Sequence, residues 1–107
     1  MNIAAHGRKI YRVGLDRDHL RRLDIGPGPL GTRIRCLVPL IGEVDESWRQ
    51  AFRAVQLEDT GFFRFRLEMG TNAIAFVATD SPDGKEINNE LKTLAFLLDS
   101  VNAVASK

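Results

Sequence analysis

Hydrophobic positions along the 107-residue chain recur with two periods, two and about 3.6, and the changes between them mark out the elements. In RKIYRVGL (8–15), Tyr11, Val13 and Leu15 alternate with Arg12, which predicts a strand. TRIRCLVPLI (32–41) repeats the alternation, with Ile34, Cys36, Val38 and Leu40 on one face and Arg33 and Arg35 on the other. Pro39 removes a ladder donor, so regular pairing is expected to end near it. Between 61 and 79 the pattern predicts a hairpin turning at Gly70-Thr71, where glycine supplies a positive φ. That turn pairs Leu67 with Ile74, Phe65 with Phe76 and Phe63 with Ala78, and sets Arg66 opposite Ala75 and Arg64 opposite Val77. A slip of one residue would drive both arginines into the core, so the register is strongly specified.

Two segments carry the helical period. In VDESWRQAFRAVQ (44–56), Asp45 is a good N-cap, and Trp48, Ala51, Phe52 and Val55 form the apolar stripe. In 81–105, Ser81 is expected to cap and Pro82 to occupy the first helical position. The principal stripe there is Ile87, Leu91, Leu94, Leu98, Val101 and Ala105. Phe96, Leu97 and Val104 widen the apolar girth past what one sheet covers, which makes them a candidate protein interface. The stretch 16–31, ending in GPGPLG, reads as a long loop because proline and glycine punctuate the backbone, and residues 1–7 read as a flexible tail.

The resulting order is ββαββα over a single domain spanning 1–107. It predicts an α+β two-layer sandwich, a four-stranded mixed sheet with both helices on one face. By topological analogy this is a ferredoxin-like order, circularly permuted so that its last strand comes first. The strands over 32–41 and 72–79 are expected in the centre, with 8–15 and 61–68 at the edges. The expected core then holds Tyr11, Val13, Ile34, Cys36, Val38, Phe63, Phe65, Leu67, Ile74 and Phe76 from the sheet. Trp48, Phe52, Leu91, Leu94 and Leu98 join it from the helices.

Composition adds little until charge is placed on this frame. A net charge of +1 hides a surplus of five positive charges over residues 1–35 (eight basic, three acidic), whereas 67–107 holds three basic and six acidic groups. Arginine outnumbers lysine eleven to four, which favours bidentate contacts with carboxylate or phosphate. On the predicted sheet Arg12, Arg33, Arg35, Arg64 and Arg66 share the face away from the helices, beside Ala73, Ala75 and Val77. They form a candidate face for an anion or a protein partner. NAIAFVAT loosely echoes the aromatic strand of RNA-recognition domains, but Ile74 and Thr79 stand where stacking rings are needed and Phe76 points inward.

Candidate chemistry is sparse. One cysteine, Cys36, falls in an apolar strand pattern and reads as an inert buried thiol in a reducing compartment, so a cytoplasmic location is expected. No stretch is apolar enough to span a bilayer, and no signal peptide is visible. His19 in the 16–31 stretch is the one candidate general base, with no nucleophile placed beside it. No catalytic set, metal-ligand set or cofactor motif is legible, so none of the three is expected. The reading favoured by these patterns is a small non-enzymatic binding or assembly module, self-associating or docking on a larger protein. The first alternative is nucleic-acid or other polyanion binding through the arginine face. The second is a ligand-binding or enzymatic unit built on 16–31.

Overall fold

Alternation in TRIRCLVPLI becomes an eleven-residue strand, the longest in the sheet, and the remaining strands are placed relative to it. A computed structural model describes residues 9–60, 65–68 and 72–107. In chain order it contains β1 (Gly14–Leu15), a 3₁₀ turn (Arg17–His19), β2 (Arg21–Gly28), β3 (Gly31–Ile41) and α1 (Glu46–Thr60). β4 (Arg66–Leu67), β5 (Ala73–Thr79) and α2 (Lys85–Ala105) follow. The sheet has five strands in the order β1-β3-β5-β4, with β2 also paired to β3.

Every pairing is antiparallel, and the expected four-stranded mixed sheet is corrected accordingly. The path from β3 through α1 to β4 crosses over β5, which lies between them, so no two parallel strands are neighbours. β3 and β5 are central, as their apolar alternation implied. The observed pairs Arg66↔Ala75 and Leu67↔Ile74 reproduce the hairpin register derived from sequence. Phe65 and Phe76 meet edge to face with ring centroids 5.8 Å apart. The turn itself, Phe63 and Arg64 lie outside the described residues, as does the expected tail over 1–7.

The expected loop over 16–31 is the main correction, since Arg21–Gly28 is an edge strand. Backbone direction explains how it tolerates proline. Leu40 donates to Asn72 on the β5 side, while the Pro39 carbonyl accepts the Asp16 N–H on the other side. Odd residues of β3 therefore face β1 and β2, and even ones face β5. Pro27 pairs with Thr32, an even residue, so its missing N–H points outward into solvent, where no bond is lost. Pro39 sits on the same edge at the point where the partner chain leaves the ladder for the 3₁₀ turn, and β3 continues through it. A bulge between Asp24 and Gly26 is fixed by Gly26 at φ +114° and by its N–H donating to Asp24 Oδ1 at 2.9 Å.

The core lies between the sheet and both helices. Ile34, Cys36, Val38, Ile74, Phe76 and Ala78 pack in one cluster with Trp48, Phe52 and Val55 of α1. Ile87, Leu91, Leu94, Leu98 and Val101 of α2 complete it. Trp48 and Phe52, one helical turn apart, stack at 5.6 Å. Gln56, fully buried, donates to the Phe65 carbonyl at 3.0 Å and accepts the Phe65 N–H at 2.5 Å, which ties α1 to the start of β4.

Of the strand expected over 8–15, only Gly14 and Leu15 pair in the sheet, because side chains from the helices take over the bonding upstream. Asn102 accepts from Val13 N at 3.2 Å, donates to Val13 O at 3.0 Å, and accepts the Trp48 indole N–H at 2.9 Å. Asp45 caps α1 by accepting the Trp48 N–H at 3.0 Å, and its second oxygen accepts from the Tyr11 hydroxyl at 2.7 Å and from Lys9 at 3.0 Å. α2 starts later than Ser81 because Gly84 adopts φ +65°, and Asp83 accepts the Lys85 N–H in place of the expected cap.

Candidate functional site

Directly paired residues share a sheet face, so the register lists what each face carries. On the face away from the helices, one row runs Gly26, Arg33, Thr79 and the next Leu23, Arg35, Val77. A third runs Arg21, Leu37, Ala75, Arg66. Pro39 with Ala73 and then Gly14 with Ile41 complete it. Several side chains on these rows are open to solvent. Leu23 is 59% exposed, Val77 46% and Ile41 57%, and Ile25 at the bulge is also exposed. The face is thus an apolar strip crossed by arginines.

The five arginines read from sequence do not form one patch. Arg35 is paired with Glu68, and because β5 separates their strands, the pair spans β5 on the open face. Ala73 and Ala75, on the strand beneath it, are buried. Arg12 lies upstream of the first sheet pair. Its backbone lies close against Gly42, beyond the end of β3 and at the opposite end of that strand from Arg33. Arg64 is outside the described residues. Arg33 and Arg66 remain on the face, exposed, and β2 adds Arg21, which falls within the expected loop over 16–31. The signal for it was the alternation Arg21, Leu23, Ile25, masked by the glycines and prolines that follow.

The candidate helix interface also changes. Leu97 is buried in the core, so it is removed from that interface. Phe96 is 78% exposed and Val104 43%, but they stand eight residues apart on α2, about 12 Å, with the exposed Ser100 between them. Isolated apolar side chains of this kind are ordinary surface. Exposed apolar side chains also stand on the sheet, with Leu23 and Val77 in one row.

His19 stands on open surface, with Nδ1 donating to Asp16 Oδ2 at 2.7 Å. That hydrogen bond, together with the Asp16 charge, pushes the imidazole pKa up and favours its protonated form. Among the described residues, hollows of about 270, 220 and 180 Å³ are below the size usual for small-molecule sites, and none of these is lined by His19. Cys36 is fully buried, and burial pushes its thiol up, so the reactive thiolate is suppressed. Among the described residues no group of His, Cys, Asp and Glu is arranged to hold a metal, and no helix is long and apolar enough to cross a membrane.

Comparison with known proteins leaves the chain to be read from its own geometry: no family model, no curated protein and no solved structure gives a significant match.

Proposed function

We propose that the chain is a small, single-domain, non-enzymatic binding and assembly module that makes protein contacts through the open face of its sheet. The observation that carries this reading is the row Leu23, Arg35, Val77, where exposed apolar side chains flank an arginine on the sheet face away from the helices. Water-exposed apolar strips rimmed by charge are what partner surfaces cover. The fold we propose for the module is a ferredoxin-like sandwich with its closing strand moved to the front, supported by the central placement of β3 and β5. A reducing, cytoplasmic setting accords with the one buried thiol.

The polyanion reading has less support, because one of its five arginines is ion-paired and another lies far along the sheet. Photocrosslinking inside cells separates the two. A benzophenone amino acid at Val77 is expected to capture a discrete protein, whereas the same group at Asn89, exposed on α2, is not. Capture of nucleic acid at Val77 would favour the alternative, and equal or absent adducts at both positions would overturn the proposal.

A further inference from the structure

We propose that β2 pairs antiparallel with β2 of a second copy, with Leu23 on the twofold axis, so that two sheets join into one. The inference rests on the assembly reading and names the partner.

β2 pairs only with β3 among the described residues, leaving its outer side unmatched. Arg22 pairs with Cys36 and Asp24 with Ile34, both even residues that face β5, so the N–H and C=O groups of Arg22 and Asp24 point outward. An unpaired row of donors and acceptors is a template for another strand.

Charge then selects the register. In an antiparallel self-pairing, outward-pointing residues must face one another. Centring on Arg22 sets two arginines together, and centring on Asp24 sets two aspartates together. Centring on Leu23 pairs Arg22 with the partner's Asp24, and Asp24 with the partner's Arg22. That register makes two opposite-charge contacts and four backbone hydrogen bonds. Arg22 and Asp24 are exposed and carry no ion pair among the described residues. On the open face the 59% exposed Leu23 meets the partner's Leu23 in a non-hydrogen-bonded pair, where Cα atoms approach to about 4.5 Å.

The local geometry also limits the pairing. The 3₁₀ turn at Arg17–His19 bends the chain away on one side. The bulge after Asp24 and the missing donor of Pro27 end the template on the other. Only about five residues of each strand engage, so the dimer is expected to be reversible and dependent on concentration.

Sedimentation of the full chain and two charge reversals tests this. Arg22→Asp and Asp24→Arg each place like charges in register, and each is expected to weaken dimerisation about tenfold or more. Mixing the two variants restores both opposite-charge contacts, so the mixture is expected to dimerise as the native chain does, which also shows that both variants fold. Leu23→Cys is expected to oxidise to a covalent dimer, while Val77→Cys, similarly exposed on a central strand, does not. A native chain that stays monomeric would overturn the self-pairing, and discrete adducts at Val77 would then leave the binding reading standing. Association unchanged by either reversal would also overturn it, placing assembly elsewhere than β2.

Discussion

Asn102 performs at one position what a strand pairing performs over several. Its carboxamide matches both backbone groups of Val13, a residue beyond the end of the ladder, and also accepts the indole N–H of the fully buried Trp48. Three bonds thus converge from the N-terminal segment, α1 and α2. Replacing it by alanine leaves these groups without their acceptor or donor, at about 1–3 kcal/mol for each buried one. The expected result for Asn102→Ala is a clear drop in denaturant midpoint with an unchanged slope. Trp48→Phe removes the indole donor, so the double variant should be less destabilised than the sum, with a coupling of about 0.5–3 kcal/mol. Additive effects would show that the indole bond contributes nothing. Sequence could not disclose this role, because an asparagine late in a helix reads as surface and its partners lie 89 and 54 residues away. The apolar positions were far more legible. Ile34, Cys36, Val38, Trp48, Phe52, Phe65, Ile74, Phe76, Leu91, Leu94 and Leu98 are all buried, since period alone assigns them to the inner face. Leu97 was misassigned because a broad apolar girth shows excess without showing which residue turns outward. Phe96 does so.

At the level of elements, what decided legibility was whether the signal was local. The β4–β5 register followed from alternation and one glycine turn, both within a few residues. Edge strand β2 was hidden because its proline and glycines signal a break unless the chain is known to lie at a sheet edge, and that position is set by tertiary structure. The N-cap of α1 was legible at Asp45, but not its second duty. The Tyr11 hydroxyl, the Trp48 N–H and Lys9 together hold the Asp45 carboxyl well below the usual carboxylate range. A carboxyl depressed on folding contributes stability that is fully present above its unfolded pKa, about 3.9, and is lost as pH falls through the lower folded value. The native chain should therefore keep its Tm above about pH 5 and lose it progressively below about pH 4. Asp45→Asn retains a capping oxygen for Trp48 but loses the charge that faces Lys9. Its melting temperature should lie below native most clearly near pH 6 and converge with it in acid, as followed by circular dichroism. A constant offset across the range would mean that the charge has no part in joining the N-terminal segment to α1.

Across the whole molecule, the surplus of basic residues in the first third does not become one basic surface. β2 carries Arg21 on the open face and Arg22 on the other, Arg12 is far along the sheet, and Glu68 meets Arg35 across β5. Without a carboxylate partner among the described residues, the open face keeps Arg21, Arg33 and Arg66. The number of engaged cations sets how steeply single-stranded nucleic-acid affinity falls with salt, at about 0.7 per neutralised phosphate. Five arginines acting together would give a log–log slope near −3.5, whereas three give roughly −2. Any binding of a single-stranded oligonucleotide should therefore be weak with the shallower slope, and Arg33→Glu with Arg66→Glu should abolish it while moving stability by about 0.5 kcal/mol or less. A slope near −3.5 that survives this double change would place a polyanion site elsewhere on the chain. Protein contact at Val77 depends on apolar burial, which added salt does not screen, unlike the Arg22–Asp24 contacts proposed for β2. Salt titration of the two activities therefore tells which one the open face supports.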